Sequence, residues 1–124
     1  IKPFMLRRHK SQVATELPEK VENVQYSEMS PAQEEKYEEA KAFYRSKILD
    51  QIDKEGLGSS RFMILEGLTK LRQLANHPKM IDANYDGDSG KFEDIMHMLA
   101  SALAEDHKVL VFSQYVKHLE LVKQ

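Results

Sequence analysis

Ser30-Pro31-Ala32-Gln33-Glu34-Glu35 decides the fold, because it carries nearly every signal a helix start can carry. Ser30 can accept a hydrogen bond from the Gln33 amide while the Gln33 side chain reaches back, forming a reciprocal capping box. Pro31 takes the first helical position, where no N–H is needed. Glu34 and Glu35 face the positive end of the helix dipole. Downstream, Tyr37, Ala40, Tyr44, Ile48 and Ile52 recur at helical spacing, and Phe43 and Leu49 widen the stripe. Gly56 and Gly58 stop it. At ~1.5 Å per residue, a helix over residues 31–55 runs about 37 Å. That is long for a compact domain and predicts a projecting helical arm.

Toward the C-terminus, a second helix is expected from about Ser60 to Asn76, with Phe62, Leu65, Leu68, Leu71 and Ala75 on its buried side. His77-Pro78 ends it, since the residue before proline is pushed out of the helical region. Residues 79–89 are small, acidic and turn-rich, and read as a flexible linker. A third helix, about 90–105, buries Phe92, Ile95, Met96, Leu99 and Leu103. Lys108-Val109-Leu110-Val111-Phe112-Ser113 is a continuous apolar run of the kind found in strands buried on both faces of a parallel sheet. Tyr115, Leu119 and Val122 begin a last helix. On the N-terminal side, Val24, Tyr26 and Met29 fall near period two and predict a strand within 21–29. One interior-type strand cannot complete a sheet. Its partners are expected from sequence beyond this chain or from another copy of it.

Composition narrows the function classes. The 124 residues are 41% hydrophobic and 31% charged, with a net charge of -2, which argues against a protein that simply coats nucleic acid. No apolar run approaches the ~20 residues of a membrane span, so no membrane partner is expected. There is no signal peptide, and the chain opens on Ile1 rather than Met, so an intracellular piece cut from something longer is expected. Zero cysteines remove disulfides, thiolate zinc sites and cysteine nucleophiles. The first 15 residues carry Lys2, Arg7, Arg8 and Lys10 with no acid. Such a patch can hold phosphate on an acidic chain, and equally can be a solvated terminus.

Taken in order, further stretches resemble the Swi/Snf family of superfamily-two motors. They are Pro3-Phe4-Met5-Leu6-Arg7-Arg8-His9-Lys10 with Val13, Leu17-Pro18 and Lys20; Met29-Ser30 with Gln33 and Tyr37; Leu71-Arg72-Gln73-Leu74-Ala75-Asn76-His77-Pro78; and Ser89-Gly90-Lys91 followed by Lys108 to Gln114. The resemblance covers nearly the whole chain. It implies a mainly α chain with short β strands, a fragment of a RecA-like α/β two-lobed motor. Residues 1–29 would close the first lobe, 30–78 would form the helical protrusion and inter-lobe helices, and 79–89 the acidic linker. Residues 90–124 would open the second lobe, with the strand at motif IV. The parent would be a DNA-dependent ATP hydrolase that uses ATP and Mg and tracks double-stranded DNA.

The chain itself has no G-x-x-x-x-G-K-[ST] loop and no magnesium-holding Asp-Glu box, and the arginine motif of the second lobe would lie beyond Gln124. No cofactor, no catalytic residue and no activity are therefore expected of the fragment alone. The short Gly56–Ser60 connection favours a bacterial cytoplasm or nucleoid; a eukaryotic parent would be nuclear. The alternative function is a helical scaffold or dimerisation module without a motor, and a fragment severed from its lobes is expected to self-associate.

Arg7, Arg8 and Lys10 can contact DNA phosphates, or pair with carboxylates of the first lobe. Ser113 and Gln114 end a strand where open sheets place ligand contacts, although Ser113 is also a good helix cap. Ser89-Gly90-Lys91 lacks the upstream glycine of a phosphate loop, but Lys91 beside a helix start can still touch DNA. Asp82-x-Asn84-x-Asp86-Gly87-x5-Glu93 fits the calcium-loop pattern. Ser89 replaces its usual apolar position and Pro78 breaks the entering helix, so an acidic flexible linker accounts for it better. The five histidines are scattered and form no metal set, and His77 before Pro78 reads as a structural helix end.

Overall fold

The strongest sequence signals become four helices: α1 (Pro31–Glu55), α2 (Arg61–Asn76), α3 (Gly90–Ala104) and α4 (Val116–Lys123), with a 3-10 turn at Pro78–Met80 between α2 and α3. The structure is a computed structural model and describes residues 8, 9, 12 and 16–124. None of its helices is long and apolar enough to cross a membrane, among the described residues.

The α1 capping box is formed in both directions. The Gln33 N–H donates to Ser30 Oγ at 3.3 Å, and the Ser30 N–H donates to Gln33 Oε1 at 3.2 Å. At the other end Gly56 adopts φ +85°, and its N–H closes the last turn on the Ile52 carbonyl. A residue without a Cβ makes that turn at no steric cost. The chain then reverses through residues 57–60, held by Ser59 Oγ on the Gly56 carbonyl and Gln51 Nε2 on the Ser59 carbonyl. This returns α2 along α1 as an αα-hairpin.

On α1, Tyr37, Ala40, Tyr44, Ile48 and Ile52 are half-buried as the spacing requires, whereas Phe43 and Leu49 are exposed. On α2 the buried face differs from the expected one. Phe62, Leu65 and Leu68 are 86%, 61% and 54% exposed, while Met63, Ile64, Gly67, Leu71 and Leu74 turn inward. α2 is amphipathic: Met63, Ile64, Gly67, Leu71 and Leu74 share one stripe, while Phe62 falls beside Thr69 and Leu65 beside Arg72 on the polar side. Gly67 sits within the inward stripe. A Cβ there would lie 3.1 Å from Tyr44 Cγ, so this is the side on which the two backbones can approach.

Neither expected strand is present among the described residues. Val21, Val24 and Tyr26 are 77–87% exposed, and Leu110 and Phe112 are 82% and 87% exposed. A strand exists only through backbone pairing with a neighbour, and neither stretch has a strand ladder to a neighbour among the described residues. The loop over 79–89 also departs from the flexible linker expected of it. Met80, Tyr85 and Ser89 are buried, the Tyr85 hydroxyl donates to the Asp88 carbonyl at 2.7 Å, and Lys36 pairs with Asp82 at 3.3 Å. Buried anchors and local hydrogen bonds tie down a segment whose composition alone suggests mobility.

Candidate nucleic-acid interface at the helix junction

Three helix ends meet where α1 begins, α2 stops and α3 starts. A helix leaves its last carbonyls and first N–H groups without internal partners, so such a meeting needs outside donors and acceptors. Gln33, fully buried, supplies both. Its Nε2 donates to the Leu74 carbonyl at 2.9 Å and the Ala75 carbonyl at 3.1 Å. Its Oε1 accepts from Ser30 N at 3.2 Å and from Gly90 N at 3.1 Å. Two donors and two acceptor lone pairs exhaust what one amide offers.

The neighbouring polar groups complete the junction. Ser89 Oγ donates to the Asn76 carbonyl at 2.7 Å and accepts from the Phe92 N–H at 3.4 Å, which makes it the N-cap of α3. Ser30 Oγ donates to the Asp88 carbonyl at 2.9 Å. A Cβ at Gly90 would overlap the Glu28 carbonyl oxygen, so only glycine lets the chain pass there. The Leu71–Pro78 and Ser89–Lys91 stretches, noted in the sequence as separate signals, therefore touch through side chains.

Beside this junction opens a groove of about 370 Å³, whose walls include Arg72, Lys91, Ser113, Gln114, Tyr115 and His118. Three of the six residues expected at a DNA surface, Lys91, Ser113 and Gln114, are thus brought together. Arg8 is exposed and does not line the groove. Arg7 and Lys10 lie outside the described residues. Lys91 Nζ is held by Asn76 Oδ1 at 2.6 Å, which leaves further ammonium protons directed elsewhere. The Arg72 guanidinium lies 6.0 Å from the Tyr115 ring centroid, within cation–π reach. Ser113 Oγ accepts from the Tyr115 N–H at 3.1 Å, a local turn, and Tyr115 rather than Ser113 is the N-cap of α4.

Electrostatically the groove is one-signed: two cations, and no Asp or Glu among its described lining residues. Cations without local carboxylates favour an anionic ligand, and the short polar groups can hold phosphate oxygens without reading bases. His118 is buried at the groove, and burial followed by the nearby Lys91 charge lowers its pKa. His77 is lowered too, first by burial and then by Lys79 and His118, while Asp88 opposes the shift. Its Nδ1 accepts from the Lys79 N–H, which fixes the neutral ring. Phe92 stands between the two, with ring centroids 5.2 Å from His77 and 6.5 Å from His118. Arg72, Tyr115 and His118 are not among the residues the sequence points to as binding groups; only the fold places them in the groove with Lys91.

A nucleotide does not fit at the start of α3. The Gly90 N–H that would face a phosphate is spent on Gln33, and the Glu28 carbonyl crowds the glycine. The Asp82–Glu93 calcium pattern is spent similarly: Asp82 accepts from Asn84 N and pairs with Lys36, and Glu93 belongs to the first turn of α3. No group of three or more acidic or histidine side chains comes together among the described residues.

Comparison with known proteins defines the class. A family profile described as "SNF2-related domain" matches residues 1–80. The chain belongs to the SNF2-related, Swi/Snf-type family of helicase-like proteins. It is similar to mouse chromodomain-helicase-DNA-binding protein 1-like, with 32% identity over 99% of this chain and 14% of that protein. It is also 33% identical to an uncharacterized ATP-dependent helicase of Mycoplasma pneumoniae, over 98% of this chain and 11% of that protein. Against the Saccharomyces cerevisiae transcription regulatory protein SNF2 it is 30% identical, over 99% of this chain and 8% of that protein. The chain thus spans between 8 and 14% of the length of these relatives. No solved structure matches it.

Proposed function

We propose that the chain is the inter-lobe segment of an ATP-dependent double-stranded DNA translocase that remodels protein–DNA complexes. Residues 1–29 close a first RecA-like lobe, 30–78 form the helical protrusion and inter-lobe helices, 79–89 connect, and 90–124 open the second lobe. The observation that carries the reading is the carboxylate-free groove. It gathers Lys91, Ser113 and Gln114 with Arg72 in a chain whose relatives are named as helicases. In this reading Lys91, Ser113, Gln114, Arg7, Arg8 and Lys10 contact the DNA backbone, and ATP and Mg bind parts of the parent outside this segment. The exposed Val21–Tyr26 and Val109–Phe112 stretches then pair with the sheets of the two lobes, which accounts for their unpaired apolar side chains.

The test is ATP turnover by the full-length protein with and without double-stranded DNA. Stimulation by DNA supports the reading, and turnover that ignores DNA overturns it. Alanine at Lys91 or Arg72 is expected to weaken DNA stimulation and leave ATP binding alone.

A further inference from the structure

The Gln33 amide is the only described side chain that bonds to α2 and α3 together while capping α1, and this juxtaposition has a mechanical consequence. We infer that Gln33 is a positioning residue, a latch that fixes the first turn of α3 on the α1–α2 hairpin and thereby sets where Lys91 stands in the groove.

Every hydrogen-bonding capacity of the amide is filled, and none of the partners is solvent. The two donors hold carbonyls at the C-terminal end of α2, and the acceptor oxygen holds the first N–H of α3 and the N–H of Ser30. A satisfied buried amide resists displacement, because moving either helix strands a polar group away from water. Gly90 supplies the fit from the other side, since any side chain there would strike the Glu28 carbonyl. Lys91 is the next residue. Its ammonium reaches Asn76 at the end of the same α2 that Gln33 grips. The start of α3 therefore moves with the hairpin as one body. In the translocase reading, on which the functional half of this inference rests, motion between the lobes does not occur at residues 79–89. It occurs beyond the first turn of α3, and Glu105–His107 is the first break, where Asp106 adopts φ +60°.

The test uses the full-length protein carrying spin labels at Glu39 of α1 and His97 of α3, both exposed, introduced as unnatural amino acids. The unaltered protein is expected to give one narrow distance that does not change between nucleotide states. Gln33→Leu, which removes all four bonds, and Gly90→Ala, which wedges the joint, are both expected to broaden it. Gln33→Glu keeps the acceptor oxygens but aims a carboxylate at the Leu74 and Ala75 carbonyls, and it covers the case in which Gln33→Leu fails to fold. The same variants are expected to lose DNA stimulation of ATP turnover by up to about a hundredfold, the scale of a ~1 Å misplacement at a working surface, with DNA-independent turnover unchanged. Folded variants with an unbroadened distance overturn the latch, as does a distance that shifts with nucleotide in the unaltered protein. A lowered Tm with distance and stimulation intact marks Gln33 as structural only and also overturns it. If the unaltered protein shows no DNA stimulation, the translocase reading fails, while the distances still decide the latch.

Discussion

Gly67 of α2 sits against Tyr44 of α1 so closely that a Cβ added at Gly67 would lie 3.1 Å from Tyr44 Cγ and 3.2 Å from its Cβ. These are ring and stem atoms rather than the tip of a flexible chain, and the Tyr44 hydroxyl is held by Glu66 at 3.0 Å. Alanine in a helix gains about 1 kcal/mol of propensity over glycine, while overpacking costs roughly 1–3 kcal/mol. The overpacking term wins here because Tyr44 has little freedom to retreat. Gly67→Ala is expected to destabilise the chain by about 1 kcal/mol, read from the urea unfolding midpoint. A raised midpoint would show that the hairpin opens without strain.

Acid should loosen the junction through His77 and His118. Burial leads the lowering of both pKa values below the ordinary imidazole range. An unfolded chain then binds more protons than the folded one once pH falls below about 6.5. Stability is full above that value and declines as pH drops toward the folded pKa values. Unfolding curves at pH 7.5 and 5.0 are expected to differ, and His118→Gln is expected to shrink the difference. An equal pH effect in the variant would remove His118 from the account.

Ser89 does two jobs with one hydroxyl, capping α3 and donating to the Asn76 carbonyl. Loss of an N-cap costs about 1 kcal/mol, and a stranded buried carbonyl adds roughly 1–3 kcal/mol. Ser89→Ala is therefore expected to lower stability by about 2 kcal/mol, and Ser89→Asn by less, since asparagine also caps. Comparable losses in both variants would argue that the packing of the serine, not its hydroxyl, matters.

If the groove meets phosphate, its cations should appear in the salt dependence of DNA binding. Each phosphate contact adds about 0.9 to the slope of log affinity against log salt. Lys91→Ala and Arg72→Ala in the full-length protein are each expected to reduce that slope by about one. A slope unchanged in both would remove the groove from the DNA surface.

Phe62, Leu65 and Leu68 on α2, together with Leu110 and Phe112, leave a large apolar surface uncovered. Exposed patches of this kind drive association. The isolated 14.4 kDa chain is expected to scatter light as a dimer or larger, and Phe62→Asp with Phe112→Asp is expected to restore the monomer. A wild-type monomer at high concentration would contradict this.

The sequence by itself determined the helices. Ser30, Pro31 and Gln33 start α1 at the expected residue, Gly56 stops it and Pro78 closes α2, because caps and breakers act through bonds within one turn of the chain. The local half of Gln33, its bond to Ser30, was readable in the same way. Its other half was not: the bonds to Leu74, Ala75 and Gly90 span up to 57 residues, and no local pattern records them. The buried face of α2 follows the stripe of Met63, Ile64, Leu71 and Leu74 that its helical period sets, and only the closeness of the approach at Gly67 to Tyr44 was decided in three dimensions. The stretches over 21–29 and 108–113 carry the composition of strands without the partners that would make them so. Composition fixes what a segment can pair with; tertiary contact decides whether it does.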